Sequence, residues 1–418
     1  VGVGIWQFYM RRPSIEPASE NKMAFPLPDK PSIAVLPFAN MSGDPEQDYF
    51  SDGLTEEIIT ALSKMPKLFV IARNSAFTYK GKPVNVKQVA EELGVKYVLE
   101  GSIRKAGDKI RITAQLIDAL SGHHLWAERY DRNLKELFAV QDDLTKNIIT
   151  ALQVKLTEGE QVRASAKGTN NLEAYLKYLQ AMVTMRQFNI ESNALAKQLA
   201  QEAIALDPEY AMAYLVLSST HQMDVWLGTS KSREQSIAKS MELTQKAIEL
   251  DPTYAEAYGH LGFTFSMIEE HDKAVANAEH AAALNPNSAY VHMRLGHTLR
   301  FAGRYEEAIP EYKKAIRLDP IPPTNYLFGL GIAYCGTGQY DEAIKWCEKA
   351  VRKDPDSFLT RLMMTMVYSE SGRLEDARAE AEEVLRINPK FSVDKWEKAA
   401  TGAYKEQFVA ALRKAGLK

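Results

Sequence analysis

The chain has 418 residues, of which 45% are hydrophobic and 25% are charged. A single hydrophobic core usually stops growing at about 250–300 residues, so this length predicts at least two folded domains. The composition is near the average for soluble globular proteins and excludes both wholesale disorder and a protein with many membrane spans. With 51 basic and 54 acidic residues the formal net charge is -3. Because no global positive field attracts nucleic acid, we expect no nucleic-acid partner.

The first 31 residues differ in pattern from the rest of the chain. Three aromatic residues within residues 1–10 precede Arg11 and Arg12. A membrane-spanning helix needs about 20 apolar residues, but interfacial aromatic residues followed by arginines are typical of the end of such a helix. We interpret residues 1–10 as the end of a truncated transmembrane helix; an arbitrary chain end or a remnant of a targeting segment is the alternative. Five prolines between residues 13 and 31 predict an extended, stiff linker.

Residues 32–157 alternate strand and helix signals and predict a small mixed α/β domain. We predict strands at residues 32–38, 68–72, 97–104, 109–118 and 125–130, with a hairpin turn at the Gly-Asp pair of residues 107–108. We predict helices from Asp52 or Thr55 to Lys64, from Val86 to Leu93 with Gly94 as its C-cap, and from Leu134 to Leu156.

Six Asp-Pro or Asn-Pro dipeptides punctuate the second half of the chain. They begin at residues 207, 251, 285, 319, 354 and 388, with spacings of 44, 34, 34, 35 and 34. Leu-Gly pairs and alanines recur in step between them, which allows two antiparallel helices to approach closely. A period near 34 with this punctuation is the signature of tetratricopeptide repeats. We therefore predict an α+β chain in which a small mixed α/β domain is followed by an all-α tetratricopeptide (TPR) solenoid.

The repeats have predicted boundaries and two irregularities. The array covers residues 158–389 in about six units, and residues 390–418 form a terminal cap with Trp396, Phe408, Val409 and Leu412. Glycines 303, 338 and 372 are predicted to turn the chain between the two helices of a unit. The second unit has about ten extra residues, which we place in a loop at residues 227–236.

Short motifs in the α/β region resemble the TolB N-terminal-like module. They are Val35-Leu-Pro-Phe38, Asn40-Met-Ser-Gly-Asp-Pro45, Tyr49-Phe-Ser-Asp-Gly-Leu54, Glu100-Gly-Ser102, Gln115-Leu-Ile-Asp118 and Leu125-Trp-Ala-Glu-Arg-Tyr130. The resemblance implies a bacterial membrane-anchored signalling protein in which this module is joined to tetratricopeptide repeats. It also implies, ahead of the membrane helix, either a class III adenylate or guanylate cyclase domain or a winged-helix DNA-binding domain. The family defines no catalytic residues in this module, so the resemblance assigns none here.

Partner binding in repeat arrays takes place on the concave surface, which is lined by the first helix of each unit. By resemblance to the repeat family, the inward-facing residues are Tyr290, Met293, His297, Arg300, Asn325, Phe328, Ile332, Leu359, Leu362 and Met366. The set is mostly apolar, which predicts a groove for an apolar or amphipathic segment of a protein or peptide. The alternative is that neighbouring units bury several of these side chains. A second copy of the chain is a further candidate partner.

The sequence contains no motif for catalysis, cofactor binding or metal binding. A phosphate-binding P-loop, a nucleophile elbow and a zinc-protease helix motif are all missing from it. We interpret His123 and His124 as a surface turn pair without further metal ligands. Cys335 and Cys347 lack the spacings of a zinc site or a disulfide scaffold, so we expect both to be small buried residues. We therefore predict no catalytic residue, no cofactor and no metal.

Three functions remain open. The chain is a non-catalytic sensor or scaffold, the C-terminal part of a membrane-bound nucleotide cyclase, or the same part of a membrane-bound winged-helix transcription regulator. We expect a parent protein anchored in the membrane, with the folded part soluble. Arg11 and Arg12 favour the cytoplasmic side for that part, whereas the resembling cyclase architecture favours the opposite side, so the side stays undecided.

Overall fold

The computed structural model describes residues 16–154, 168–399 and 401–418. The chain divides into two compact units, Val1–Val183 with Leu318–Pro320, and Thr184–Arg317 with Ile321–Lys418. Within the described ranges, no helix is both long and apolar enough to span a bilayer. The transmembrane-helix end predicted at residues 1–10, with Arg11 and Arg12, lies outside the described residues, as do the last two residues of the helix predicted to end at Leu156.

The first unit contains a mixed sheet with helices. Its strands are β1 (Ser32–Val35), β2 (Ala39–Asn40), β3 (Phe69–Val70), β4 (Tyr97–Ala106), β5 (Lys109–Asp118) and β6 (His123–Asn133). Its helices are α1 (Asp48–Ser63), α2 (Arg73–Phe77), α3 (Val86–Leu93), α4 (Leu137–Ala151) and most of α5 (Leu172–Met185), with short 3-10 turns at Glu20–Lys22, Pro45–Gln47 and Leu134–Glu136. A sheet that is followed along the chain by a long run of helices confirms the predicted α+β class.

The sheet has the strand order β3-β1-β4-β5-β6, and β2 also pairs with β4. β1 is parallel to both of its neighbours and all four of its residues are buried, as the continuous apolar run predicts. β2 is also parallel to β4, whereas β4 with β5 and β5 with β6 are antiparallel. In β5, Ile110, Ile112, Ala114 and Leu116 are buried in alternation with more exposed residues, as predicted.

Several element boundaries in the first unit differ from the prediction: the helix predicted from Leu134 to Leu156 begins with a 3-10 turn and ends at Ala151. The strand expected at residues 32–38 ends at Val35 and resumes as β2, because Pro37 has no amide to donate to the ladder. Helix α1 begins at Asp48, ahead of the predicted caps Asp52 and Thr55. Asp44 caps a 3-10 turn that leads into α1, and the Thr55 hydroxyl bonds inside the helix to the Ser51 carbonyl. The start signal was therefore one turn upstream.

The His123-His124 pair was predicted as a surface turn and instead begins β6. The turn lies before it, where Gly122 has a φ of +70° and its amide donates to the Asp118 carbonyl at 2.8 Å. Both histidines are exposed and pair in register with Asp118 and Ile117 of β5. The pair is therefore part of the sheet edge.

The second unit is a series of antiparallel helix pairs. They are α6 (Ile190–Leu206), α7 (Ala211–Trp226), α8 (Arg233–Leu250), α9 (Ala255–Ser266), α10 (His271–Leu284), α11 (Ala289–Phe301), α12 (Tyr305–Leu318), α13 (Thr324–Gly336), α14 (Tyr340–Lys353), α15 (Phe358–Glu370), α16 (Leu374–Ile387), α17 (Val393–Ala399) and α18 (Lys405–Lys414). Leu318, the last residue of α12, belongs to the first unit. The first helix of a repeat packs on both helices of the repeat before it, as α11 does on α9 and α10. This stacking supplies the core that one pair cannot form alone.

Glycines mark the close approaches and the turns within a repeat. A Cβ on Gly262 would lie 2.7 Å from the carbonyl oxygen of Ala274, so only glycine permits this spacing of α9 and α10. Gly303, with a φ of +77°, turns the chain between α11 and α12 in the left-handed region. The equivalent glycines 338 and 372 have φ values of +74° and +80°. The predicted turns are confirmed.

The extra length of the second repeat is not the predicted loop at residues 227–236. Helix α7 has 16 residues and α8 has 18, whereas the next pair, α9 and α10, have 12 and 14. Each helix of the second repeat is therefore about one turn longer. Only residues 227–232 separate α7 from α8, and α8 begins at Arg233. The insertion extends the helices because its residues continue their hydrogen-bond ladders.

Candidate functional site

The predicted groove residues lie on α11, α13 and α15, the first helices of repeats four to six, and we call the face that carries them the inner face. Tyr290, Asn325 and Leu359 occupy the same position, the second residue, of these three helices. Leu359 is 38% exposed, and the other two are partly buried. Four of the ten predicted groove residues remain accessible, namely these three and the partly buried Arg300.

The other six predicted groove residues are buried in the array. They are Met293, His297, Phe328, Ile332, Leu362 and Met366. Neighbouring repeats supply some of the covering atoms: the Asn325 amide lies 3.9 Å from the Met293 sulfur, and the Cys335 thiol lies 4.0 Å from the Met366 sulfur. In this structure the six side chains pack the repeats together.

Two arginines of α11 lie on this face without an acidic partner. The Arg294 guanidinium stacks 4.3 Å from the ring centre of Phe263 and 4.9 Å from that of Tyr290. Its Nε atom is buried and has no hydrogen-bond partner. Arg300 donates to the Tyr312 hydroxyl at 3.3 Å. Over the ranges that the structure describes, neither guanidinium forms an ion pair with a carboxylate.

The prediction from sequence missed Arg294, although a signal for it was present. It lies four residues after Tyr290, and residues four apart share one face of a helix. A cation at that position indicates the chemistry of the groove's ligand as much as the surrounding apolar residues do. The inner face is therefore more polar and more positive than predicted.

The buried histidines His297 and His260 add no positive charge beside the two arginines. Burial, and then the charges of Arg300 and Arg294, lower the pKa of His297 to about 3. Burial also lowers the pKa of His260 well below its ordinary value. The ring Nε2 of His260 lies 3.1 Å from the Ser218 hydroxyl oxygen. At neutral pH the positive field of the inner face comes from the two guanidinium groups.

The C-terminal ends of α11, α13 and α15 contact a segment near the chain end. The Ala403 amide donates to the Phe301 carbonyl at 2.9 Å. The Tyr404 hydroxyl lies 3.5 Å from the Cys335 thiol and donates to the Glu370 carboxylate at 3.4 Å. Burial raises the pKa of Cys335 to about 11, so this thiol is not a nucleophile at neutral pH.

The first unit has a cleft of about 900 Å³ between the end of β1, the start of α1 and the polar face of β4 and β5. In it, the Lys80 ammonium bridges Asp52 at 2.8 Å and Asp48 at 3.1 Å. One ammonium therefore pairs with two carboxylates, and this group of three side chains keeps a net negative charge. No group of three or more His, Cys, Asp or Glu side chains among residues 16–154, 168–399 and 401–418 is arranged to hold a metal ion.

Models of known families match both units. A model described as "Tetratricopeptide repeat" matches residues 268–321 and 293–358, and two further models with that description match residues 335–395 and 243–276. A model described as "HilA/YgeH-like transcriptional regulator, second domain" matches residues 29–152, which include the whole sheet. The resemblance of this region to the TolB N-terminal-like module stays a prediction.

Individual proteins also resemble parts of the chain. "Putative adenylate cyclase 3" of Rhizobium meliloti (strain 1021) is 55% identical over 192 residues, which are 46% of this chain and 33% of that relative. The chain thus spans about one third of that relative's length. Among solved structures, MamA is 28% identical over 42% of this chain and 94% of its own, with a TM-score of 0.31. The Cut9-Hcn1 hetero-tetramer is 14% identical over 68% of this chain and 53% of its own, with a TM-score of 0.47.

With TM-scores below 0.5, the structural likenesses add no argument of their own. The repeat models carry the assignment, because their matches overlap along the helix pairs from α8 to α17. The recurrent glycines, the turns and the stacking of first helices agree with that assignment. Residues 243–395 of this chain are therefore tetratricopeptide repeats, a kind of repeat that forms protein-interaction modules.

Proposed function

We propose that the chain is the binding arm of a bacterial membrane-anchored signalling protein, and that the inner face of its repeats holds an amphipathic segment of a partner protein. The observation that carries the proposal is the pair Arg294 and Arg300, which have no carboxylate partner within the described residues. A guanidinium that has lost part of its hydration is stabilised when a carboxylate forms hydrogen bonds with it. The partner is therefore a segment that presents a carboxylate to α11.

The accessible neighbours of the two arginines define the rest of this segment. Tyr290 and Leu359 offer apolar surface, and Asn325 offers an amide that both donates and accepts. A partner segment that matches them has apolar residues on one side and at least one Asp or Glu. This composition narrows the predicted apolar or amphipathic ligand to an amphipathic, acidic one.

A peptide selection tests this function. A random peptide library is selected against the full chain, and the affinity of the selected peptides is measured by fluorescence anisotropy. We expect acidic amphipathic peptides, and at least about tenfold weaker binding when Arg294→Gln and Arg300→Gln are combined, because a charged hydrogen-bond pair is lost at each position.

The matched control for this test is Arg352→Gln. Arg352 lies on the second helix of the fifth repeat, is 64% exposed at its side chain and pairs with Glu348. The Arg352→Gln substitution removes one positive charge from an exposed position and should leave the affinity for the selected peptides within about twofold of the unchanged chain. Selected peptides that bind the double arginine variant as well as the unchanged chain would contradict the proposal.

The activity of the whole parent protein has two candidates. The 55% identity to a protein named as an adenylate cyclase supports a cyclase domain in the same polypeptide. The match of residues 29–152 to a transcriptional-regulator domain supports a DNA-binding domain instead. Sequencing the gene upstream of the Val1 codon distinguishes them, because a cyclase domain requires metal-binding aspartates on a mixed sheet and a regulator requires a winged helix.

Membrane anchoring is part of the same proposal. The aromatic and arginine pattern of residues 1–12 supports a membrane helix before the linker. A protease added to intact cells cuts the linker at residues 13–31 only if that linker lies outside the cytoplasmic membrane. Cleavage in intact cells assigns the folded part to the outer side, and cleavage only after lysis assigns it to the cytoplasm.

A further inference from the structure

The last residues of the chain, 401–418, do not simply extend the stack of helix pairs. Helix α18 packs against α15, the first helix of the sixth repeat, and against α17. Its residues Phe408, Val409 and Leu412 are buried, as expected for a cap. The segment that leads into α18, however, reaches back to the fourth and fifth repeats.

Residues 402–404 run across three repeats at a single level of the inner face. The Ala403 amide contacts Phe301, the last residue of α11. The Tyr404 hydroxyl reaches both Cys335 near the end of α13 and Glu370 at the end of α15. These contacts lie at or within one residue of equivalent helix positions, since the repeats are spaced by 35 and 34 residues. A chain that crosses the first helices in this way lies as a bound peptide would.

The contacts of this crossing are specific. The Ala403 amide caps the free carbonyl of Phe301 at the end of α11. The Tyr404 ring packs edge-on against Tyr305 at 5.8 Å. Gly402 has a φ of +101°, and a Cβ there would lie 2.5 Å from the Phe301 ring. The crossing therefore requires glycine at this position.

One charge beside the crossing is left unmatched. Arg300 precedes Phe301, and residues 401–404 (Thr-Gly-Ala-Tyr) contain no acid that pairs with it. A partner segment with Asp or Glu at this level gains an ion pair that the chain's own segment does not form. This ion pair is a contact that a partner can use to offset the internal contacts it displaces.

We propose that residues 401–418 are an intramolecular ligand of the inner face, and that a partner segment binds across repeats four to six only after displacing them. This inference rests on the proposed function and adds its regulation and the kind of partner. The partner resembles the displaced segment in having an aromatic hydroxyl residue followed by an amphipathic helix. It differs from that segment in carrying a carboxylate that reaches Arg300.

The two native cysteines report release of this segment in the full chain. Cys335 is 3% exposed and lies under Tyr404, whereas Cys347 is fully buried between helices of one repeat. We expect Gly402→Ala and Tyr404→Ala each to raise the rate of Cys335 labelling by a maleimide by about tenfold, because contacts that hold the segment are lost. The rate for Cys347 should stay unchanged, which shows that the array remains folded.

A matched control separates release from backbone strain. Gly416 has a φ of +97° and open space around a Cβ. Gly416→Ala therefore carries a similar conformational cost to Gly402→Ala without a clash against Phe301, and it should label Cys335 at the rate of the unchanged chain. Equal labelling in all variants would mean that the segment is a fixed part of the fold, and the inference would be wrong.

Peptide affinity completes the test and separates the two proposals. The peptides selected against the full chain should bind the Gly402→Ala and Tyr404→Ala variants several-fold more tightly than the unchanged chain. Faster labelling with unchanged affinity overturns the displacement inference and leaves the binding function standing. No peptide binding by any variant, with Cys335 exposed, overturns the binding function and the inference together.

A disulfide across the crossing gives the reverse experiment. The position of a Cβ on Gly303 lies 3.2 Å from the Cβ of Ala403, close to the 3.5–4.5 Å found in disulfides. In a chain with Cys335→Ala and Cys347→Ala, the pair Gly303→Cys and Ala403→Cys should block peptide binding when oxidised and restore it on reduction. Equal binding in both states would contradict the inference.

Discussion

Two interfaces inside the array bury their contacts with opposite chemistry. Where the second repeat meets the third, the buried Ser218 hydroxyl bonds to Ser240 and Thr244 of its own repeat and to the His260 ring of the third. Between the fourth and fifth repeats, the ring of one tyrosine fills the space beside two glycines. The same helix-pair geometry is thus held in one place by a polar network and in the other by aromatic volume.

The difference teaches which kind of change each interface resists. A packed ring stabilises the fold through dispersion and the exclusion of water, so the stability lost on truncating it increases with the volume removed. A hydrogen-bond network stabilises the fold by pairing buried polar groups, so the stability lost on removing one member depends on how many partners are left without a bond. The largest effects are therefore expected at the aromatic interface and the smaller ones at the polar interface.

Removing the aromatic volume should have the largest effect. Tyr312 is fully buried, and its ring is 3.1 Å from the Cβ position of Gly296 and 2.7 Å from that of Gly329. Tyr312→Ala should lower the free energy of unfolding by about 3–5 kcal/mol, because no neighbouring side chain can fill the cavity. Urea denaturation of both chains, followed through the unfolding transition of the second unit, measures this difference in free energy.

The control for this prediction is a tyrosine of the same array. Tyr340 is 36% exposed at the start of α14, so Tyr340→Ala should cost less than about 1 kcal/mol. A loss at Tyr312 no greater than that at Tyr340 would mean that the two glycine contacts do not hold the fourth and fifth repeats together.

Lowering the pH should weaken the same interface by an intermediate amount. His297 faces Arg300, Arg294 and the Tyr312 ring, and its pKa is lowered to about 3, first by burial and then by the two arginines. Below its unfolded pKa of about 6.5, the unfolded chain binds a proton that the folded chain does not. Stability is therefore unaffected above that pH and falls as the pH drops toward 3.

The expected contribution of His297 between pH 7.5 and pH 5 is on the order of 2 kcal/mol. His297→Gln removes this proton while keeping a polar side chain of similar length. Between pH 7.5 and pH 5 the unfolding free energy of His297→Gln should therefore change by about 2 kcal/mol less than that of the unchanged chain. Identical pH slopes in both chains would show that His297 titrates normally in the fold.

The helix pairs of the array were predictable because their signals are local. The Asp-Pro punctuation and the turn glycines act within a few residues of the boundaries that they set. The length of the second repeat was misassigned for the opposite reason. Its extra residues continue existing helices, and a spacing between prolines does not distinguish longer helices from a longer loop.

The candidate site was less predictable, since burial depends on contacts distant in sequence. Tyr290 and Phe328 are both in the predicted groove set, but Phe328 is buried, whereas Tyr290 is only partly buried. The crossing of residues 402–404 joins positions between 34 and about 100 residues apart and leaves no periodic signal. Gly402 was the one local sign of it, because its left-handed conformation and close approach both require glycine.

Breaking the polar interface should have the smallest of the three effects. The Ser218 hydroxyl lies at the centre of the network, 2.7 Å from the Thr244 oxygen and 3.1 Å from the His260 Nε2. Ser218→Ala should cost about 1–2 kcal/mol, because these partners are buried and lose a bond without gaining water. Ser219→Ala is the control: Ser219 is only partly buried and bonds to a carbonyl of its own helix, so about 0.5 kcal/mol is expected. Equal costs would show that the network rearranges around the missing hydroxyl, and the contrast between the two interfaces would then be one of volume alone.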